Sequence, residues 1–155
     1  MNPSRDLCNR AHLARQSIAV CSPSRLGRLG RMPQTLADFL CLGLLHDGTA
    51  KGWASWLSGL EGGLPESGIP PSLDGTTFED FNLLRAAALS GQGAALCPEA
   101  MIQPDLDSGG LVRLSPRPQD DGYNYHLLLS TTAPLPIRRQ AEVFRDWTMA
   151  ERGRA

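Results

Sequence analysis

Three histidines and two pairs of neighbouring carboxylates are the first residues to test for chemistry. His12, His46 and His126 are far apart in the sequence and fall in different predicted elements, whereas a metal site needs clustered donors, so we predict no metal. The pair Glu79-Asp80 is better explained as the cap of a helix, where a carboxylate interacts favourably with the helix dipole. The pair Asp120-Asp121 is better explained as part of a solvated loop.

Nucleophilic catalysis has equally little support in the sequence. There is no GxSxG elbow, and no serine or cysteine stands in a recognisable reactive context. The four cysteines, Cys8, Cys21, Cys41 and Cys97, form no CxxC pair and have no histidine at zinc-finger spacing. Cys41 and Cys97 lie in apolar runs, where a free thiol behaves as a small hydrophobe. We therefore expect reduced, structural cysteines, a cytoplasmic setting, no catalytic residues and no cofactor.

Polar residues at the ends of predicted elements indicate a crevice for a small molecule instead. In open α/β sheets, ligands lie beyond the carboxyl ends of strands, beside helix N-termini whose free amides attract anions. The start of a helix at Thr76–Asp80 is one such place. The end of the strand Ile18–Cys21 is another, because Ser22 and Ser24 offer hydroxyl groups there.

The stretch Gly75–Leu114 predicts the elements that would position such a site. Thr76 with Glu79, or Thr77 with Asp80, has the spacing of a capping box. The helix that follows presents Phe81, Leu84, Ala87 and Ala88 on one face and ends at Ser90-Gly91. A buried strand (Ala94–Cys97), a short helix (Pro98–Ile102) and a strand (Leu111–Leu114) come next. This alternation predicts an α/β sheet, and the GQG turn lacks the lysine and the spacing of a phosphate loop.

The remaining elements are predicted from the same kinds of signal. Residues Met1–Gln16 are expected to be a poorly packed lead-in, helical or disordered, and Glu61–Leu73 a surface loop. Ile137–Ala150 is expected to be an amphipathic closing helix with Ala141, Phe144, Trp147 and Thr148 or Met149 facing inward. The other predicted elements are strands at Ser17–Cys21, Gly43–His46 and Tyr123–Ser130, helices at Thr35–Leu40 and Lys51–Leu60, and a loop or short helix at Arg25–Met32.

Composition and charge narrow the class of protein. With 155 residues, the chain can form one domain or two small lobes. A net charge of −1 gives no bulk electrostatic case for binding nucleic acid. The first residues lack the apolar core of a signal peptide, and the longest apolar run, Phe39–Leu45, is too short to cross a membrane.

The run FEDFNLLRAAALSGQGAALCPEAMIQPDLDSGGLVRL resembles the distal part of the effector-binding domain of LysR-type transcriptional regulators. The likeness is closest to the glycine-cleavage-activator and beta-lactamase-regulator branch. Other segments fit this family in the same order, so that the resemblance covers roughly Ser17 to Glu151. These segments are IAVCSPSRL (Ile18–Leu26), LADFLCLGLLHD (Leu36–Asp47), WASWL (Trp53–Leu57), YHLLLS (Tyr125–Ser130) and VFRDWTMAE (Val143–Glu151).

The resemblance implies an α/β fold like that of type II periplasmic binding proteins, with one complete lobe and part of another. It divides the chain into a lead-in (residues 1–16), a strand of the partial lobe 1 (17–22), lobe 2 (23–117), and a return strand with a C-terminal helix of lobe 1 (118–155). No helix-turn-helix pattern precedes Ser17, so DNA would be contacted only through another domain. The family controls transcription through rearrangement of an oligomer, and the uncovered part of lobe 1 leads us to expect a dimer.

Carried over to this chain, the family's effector site between the lobes would use Ser22, the segment Thr77–Phe81 and Tyr125. Asp80 and Phe81 stand where many relatives have a hydroxyl group, and a carboxylate there disfavours an anionic effector. His46 is a further candidate ligand contact. Three alternatives stay open: Ser22 as a turn residue, His46 as a core or strand-end histidine and Tyr125 as a packing residue. Two other functions also stay open, namely a solute-binding protein of the type II periplasmic class and a small α/β enzyme.

Overall fold

The computed structural model describes residues 7–60, 72–130 and 132–151. The chain divides into two compact units, residues 16–121 and a second unit formed by residues 1–15 and 122–155. The strands are β1 (Leu7–Cys21), β2 (Leu44–Asp47), β3 (Gly75–Phe78), β4 (Ala94–Pro98), β5 (Val112–Arg113) and β6 (Gln119–Ser130). The helices are α1 (Pro23–Leu29), α2 (Leu36–Leu42), α3 (Lys51–Ser58), α4 (Phe81–Leu89), α5 (Glu99–Asp107) and α6 (Leu135–Glu151).

The sheet has the strand order β3-β2-β4-β1-β5, and β6 also pairs with β1. Strands β3, β2 and β4 are parallel to one another. Strand β1 runs antiparallel to β4 on one side and to β5 on the other. The sheet is therefore mixed, and the alternation of helix and strand predicted from the sequence is confirmed.

Two apolar clusters form as successive β1 side chains alternate between the sheet's two faces. Ala19 and Cys21 belong to the cluster that includes residues of α2 and α3, whereas Ile18 and Val20 belong to the cluster with residues of α4 and α5. In the first cluster the rings of Phe39, Trp53 and Trp56 contact one another at centroid distances of 4.9 to 5.8 Å. Strand β4, made of apolar residues, is buried along its whole length.

The predicted helix cap at Glu79-Asp80 is confirmed for Asp80, whereas a capping box that begins at Thr76 or Thr77 is wrong. Residues Gly75–Phe78 instead form β3, which pairs in parallel with β2 in the register Leu44 to Gly75 and His46 to Thr77. Two consecutive β-branched threonines followed by phenylalanine suit a strand, and this pairing outweighs their capping potential. Helix α4 therefore begins at Phe81, with Asp80 as its N-cap.

Other differences concern length and exposure. Strand β1 begins at Leu7, so a helical or disordered lead-in is wrong for residues 7–16, while residues 1–6 lie outside the described residues. Helix α5 extends to Asp107 rather than ending at Ile102. Cys41 is exposed rather than packed as a small hydrophobe, and the face of α6 that was expected to be inward is largely exposed. The predicted domain boundaries stay predictions.

Candidate ligand site at the carboxyl edge of the sheet

The parallel strands of the unit formed by residues 16–121 end together at one edge. Strands β2, β3 and β4 finish at Asp47, Phe78 and Pro98. Because β1 is antiparallel to β4, the residue of β1 at this edge is Ser17, which pairs with Pro98. We call this the carboxyl edge. Helices α3, α4 and α5 each begin shortly after one of these strand ends, so their N-termini also lie there.

His46 and Thr77 are neighbours close to the carboxyl edge. They are register partners on β2 and β3, and the next pair, Asp47 and Phe78, is the last of the ladder. The amide of Gly48 then donates a 2.8 Å hydrogen bond to the carbonyl oxygen of Phe78, which holds the two strand ends together. Thr77 is exposed, whereas His46 is only 3% exposed.

Asp80 already occupies the N-terminus of α4. Its Oδ1 accepts hydrogen bonds from the amides of Asn82 at 2.8 Å and Leu83 at 3.2 Å. These are amides that would otherwise be free to bind an anion. Asp80 is exposed and Phe81 is half-buried, packing against the cluster with residues of α4 and α5. Asp80 and Phe81 therefore place one negative charge and one aromatic ring at the carboxyl edge.

The imidazole of His46 is fixed by a backbone contact. Its Nε2 lies 2.8 Å from the carbonyl oxygen of Leu73. Since a carbonyl oxygen can only accept, Nε2 carries the proton and donates. Nδ1 is buried and has no hydrogen-bond partner. A side chain on Gly75 would place its Cβ 2.7 Å from Nε2, so the glycine makes room for the ring.

Ser22 and Ser24 lie at the opposite edge of the sheet. The register Val20 to Ala95 places Ser22 beyond the amino end of β4, away from Asp47, Phe78 and Pro98. Ser22 caps α1, since its Oγ accepts from the amide of Arg25 at 3.3 Å and lies 3.0 Å from Ser24 Oγ. The structure thus brings together His46, Thr77, Asp80 and Phe81, and separates them from the two serines.

Tyr125 belongs to β6 in the unit that contains residues 122–155. Its side chain lies outside the described residues, and its predicted role as a ligand contact stays a prediction.

Sequence reasoning missed two buried polar residues at the carboxyl edge. Ser17 is 2% exposed on β1, and Gln119, the first residue of β6, is 7% exposed. Gln119 Nε2 donates a 3.0 Å hydrogen bond to the carbonyl oxygen of Gly52 in the first turn of α3. Strand direction could have indicated Ser17, because an antiparallel β1 has its amino end, and not Ser22, at the carboxyl edge.

The carboxyl edge offers groups that could hold a small molecule. Among the described residues there is no group of three or more potential metal-ligating side chains. Burial raises the pKa of the Cys21 thiol to about 11, so this thiol is protonated and poorly nucleophilic at neutral pH. None of the described helices is long and apolar enough to cross a lipid bilayer. The edge offers hydroxyl, amide and carboxylate groups beside a half-buried aromatic ring.

Comparison with known proteins finds one matching family model and several relatives. A family model described as the LysR substrate binding domain matches residues 2–152. The HTH-type transcriptional activator AmpR of Citrobacter koseri is 28% identical over 129 residues, covering 83% of this chain and 40% of the relative. The AhcY transcriptional activator HvrB of Rhodobacter capsulatus is 30% identical over 139 residues, covering 89% of this chain and 43% of the relative. The chain therefore spans about two fifths of the length of these curated relatives.

Solved structures show the same fold. The AmpR effector-binding domain of Citrobacter freundii superposes with a TM-score of 0.71 at 24% identity, covering 97% of this chain and 70% of that chain. The regulatory domain of CrgA from Neisseria meningitidis gives a TM-score of 0.64 at 21% identity, with coverages of 97% and 71%. The predicted α/β fold of the type II periplasmic-binding-protein kind is confirmed by these likenesses, whereas assignment to the glycine-cleavage-activator branch stays a prediction.

Proposed function

The chain belongs to the family of LysR substrate-binding domains, and on that premise we propose that it is the effector-binding part of a LysR-type transcriptional regulator. It binds a small metabolite reversibly and passes the binding event on to transcription. The observation that carries this proposal is the carboxyl edge, where parallel strand ends and three helix N-termini meet polar side chains. Such edges are the usual ligand sites of open α/β sheets.

The charges at the carboxyl edge favour one class of effector. Asp47, Glu79 and Asp80 are exposed carboxylates within or next to the strand ends, and Asp80 has already taken the amides of α4. Beside α4, an anionic group would meet these carboxylates without gaining the two amides that Asp80 already binds. We propose that the group bound at this end of the effector is cationic or rich in hydrogen-bond donors. Phe81 offers an apolar surface for the remainder of the molecule.

The wider role follows from the family. We propose that the protein works in the cytoplasm as a homo-oligomer, is not an enzyme, and contacts DNA through residues outside this chain. Free thiols at Cys21 and Cys41 support a reducing compartment. The lack of an activated nucleophile at the described site supports binding without turnover.

A thermal-shift screen tests the proposal. The chain is melted with amino acids, amines, carboxylic acids and nucleotides, and each mixture is then analysed by mass spectrometry. We expect an amine or another donor-rich compound to raise Tm by several degrees at concentrations near a hundred times Kd, which corresponds to about 2.7 kcal/mol, and to be recovered unchanged.

Variants locate the site in the same screen. Thr77→Val removes a hydroxyl group from the carboxyl edge and should reduce the shift, whereas Ser24→Ala removes one from the opposite edge and should leave it intact. Consumption of the compound would contradict a sensing role. Loss of the shift in Ser24→Ala but not in Thr77→Val would place the site at the other edge.

A further inference from the structure

The N-terminus of α3 differs from the two other helix N-termini at the carboxyl edge. Helix α4 has Asp80 as its N-cap, and α5 has Glu99 in its first turn, where this carboxylate pairs with Arg113. Helix α3 has no acidic residue in its first turn and no side-chain hydrogen bond at its N-cap, Ala50. The residue after the cap is the exposed Lys51. The positive end of the α3 dipole is therefore not offset by a carboxylate of its own first turn.

Two backbone amides of this first turn have no acceptor in the described part of the chain. The amide of Lys51 lies 3.4 Å from Thr49 Oγ1, and the amide of Ala54 donates a 3.0 Å hydrogen bond to the N-cap carbonyl oxygen. The amides between them, of Gly52 and Trp53, make no such bond. Free amides at a helix N-terminus are donors for carboxylates and phosphates.

Ser17 supplies an unpartnered hydroxyl group beside this turn. It is 2% exposed, and its hydroxyl group forms no hydrogen bond with any described residue. Alternation along β1 places Ser17 on the same face as Ala19, which belongs to the cluster with residues of α2 and α3. Ala19 pairs with Leu96, and Leu96 Cδ1 lies 3.6 Å from the position of a Cβ on Gly52. Ser17 is two residues nearer to the carboxyl edge, so its side chain projects beside the first turn of α3.

Two further hydrogen bonds hold the first turn of α3 in position. Gln119 Nε2 donates to the carbonyl oxygen of Gly52 at 3.0 Å, and Gln119 itself is 7% exposed. On the other side of the turn, Trp53 Nε1 donates to the carbonyl oxygen of Leu45 at 2.9 Å. The two free amides are thus fixed before a ligand arrives, which reduces the entropy lost on binding.

The carboxylates of the carboxyl edge lie on the other side of the sheet. Asp47 is two residues after Leu45 on β2 and shares its face, which is covered by the cluster with residues of α4 and α5. Asp80 caps α4 on that side. Lys51 is the charged residue in the first turn of α3, on the opposite side. The carboxyl edge is therefore negative towards α4 and positive towards α3.

We propose that the N-terminus of α3 is a carboxylate subsite, formed by the amides of Gly52 and Trp53 with the hydroxyl group of Ser17. This inference rests on the proposed function and deepens it, because it makes the effector a zwitterion whose cationic group lies near Asp80. Strand β4 separates β1 from β2, so Ser17 and Asp47 are two strand spacings, or about 10 Å, apart. An α-amino acid carries both charges on one carbon atom and is too short, so the effector has its charges separated by several bonds.

Nuclear magnetic resonance of the isotope-labelled 155-residue chain tests the inference with three compounds of equal chain length. These compounds are ε-aminocaproate, caproate, which lacks the amine, and hexylamine, which lacks the carboxylate. We expect ε-aminocaproate and caproate to shift the amide resonances of Gly52 and Trp53, whereas hexylamine should leave those two resonances in place. Binding of ε-aminocaproate should be at least about tenfold tighter than that of either other compound, because it joins two contacts in one molecule.

Variants with matched controls locate the carboxylate. Lys51→Glu should weaken caproate binding about fivefold without lowering Tm, since an acidic residue in the first turn suits the helix dipole. Arg28→Glu makes the same change of charge at an exposed position of α1, beyond the opposite edge, and should bind caproate like the wild type. Ser17→Ala should weaken caproate binding about tenfold by removing a hydrogen bond to a charged group, whereas Ser24→Ala should not.

Three outcomes would overturn the carboxylate subsite. They are caproate that shifts neither Gly52 nor Trp53, equal weakening in Lys51→Glu and Arg28→Glu, and caproate binding that survives both Lys51→Glu and Ser17→Ala. None of them would by itself refute effector binding. A compound that raises Tm in the wild type, but less in Thr77→Val, would still support the proposed function while the subsite at α3 was rejected.

Discussion

The junction of β2 and β3 shows how single residues shape the candidate site. The His46 ring lies where a side chain on Gly75 would have to be, and it donates to the Leu73 carbonyl oxygen. A Cβ on Gly75 would also overlap the carbonyl oxygen of Leu44 on the neighbouring strand, and a backbone atom cannot move aside cheaply. His46 and Gly75 therefore fix the position of the beginning of β3. Thr77 lies two residues further along the same strand, so its position depends on them.

Replacement of Gly75 by alanine should destabilise the protein by about 2 kcal/mol, because β3 must move away from β2. Gly27→Ala makes the same chemical change in the interior of α1, where nothing lies within 4 Å of the new Cβ, and it should stabilise by about 0.5–1 kcal/mol through helix propensity. Urea denaturation measures both free energies of unfolding. Shifts of the same sign in the two variants would contradict this account.

The beginning of α2 is the best-defined helix terminus in the described chain. Thr35 and Asp38 form a reciprocal capping box, and Asp38 also binds the guanidinium of Arg31 and the amide of Gln34. Backbone donation from Gln34 is the largest influence on the Asp38 carboxylate, with further bonds from Thr35 and Arg31, and together they lower its pKa to about 2. These bonds hold α2 at a fixed angle, so that Phe39 reaches Trp53 and Trp56.

Because the pKa of Asp38 is lower in the folded state than in the unfolded state, its contribution to stability should be complete above about pH 4. This contribution should be lost as the pH falls from about 4 to about 2, where the folded carboxylate is protonated. We expect the difference in unfolding free energy between the wild type and Asp38→Asn to shrink over this window. Denaturation curves at pH 5, 4, 3 and 2 measure it, and a difference that is constant with pH would refute the assignment.

The elements that could be predicted from sequence are those whose signal is local. Phe39, Trp53 and Leu84 occupy apolar positions of short helices, and all three are buried as their spacing indicates. No local signal predicts the strand Gly75–Phe78, because its formation depends on pairing with β2, about thirty residues earlier in the chain. Ser17 was missed for the same reason: only the antiparallel pairing with β4 shows which end of β1 lies at the site.

At the scale of the whole molecule, the main electrostatic feature is near neutrality. The chain has 15 basic and 16 acidic residues, and several arginines are engaged in ion pairs, such as Arg31 with Asp38 and Arg85 with Asp105. Proteins that bind DNA tightly present an unpaired basic surface to the phosphates. The charge of this chain therefore gives no electrostatic reason to expect contacts with DNA.

We accordingly expect the 155-residue chain to show no sequence-specific binding to DNA. Fluorescence anisotropy with labelled duplexes at about 50 and 200 mM salt measures this, because electrostatic binding weakens steeply between those concentrations. The effector found by thermal shift should leave the result unchanged. Tight, salt-sensitive binding to one duplex and not to a scrambled one would contradict the division of roles.

The way β1 alternates between two cores limits how relatives of this chain can diverge. Ile18 and Val20 face one cluster while Ala19 and Cys21 face the other. Inserting or deleting a single residue just before this stretch would exchange the two faces of the strand. Ile18 and Val20 would then meet the cluster that accommodates Ala19 and Cys21, and the reverse. Gains and losses of residues during evolution should therefore accumulate in the connections between elements and avoid this strand.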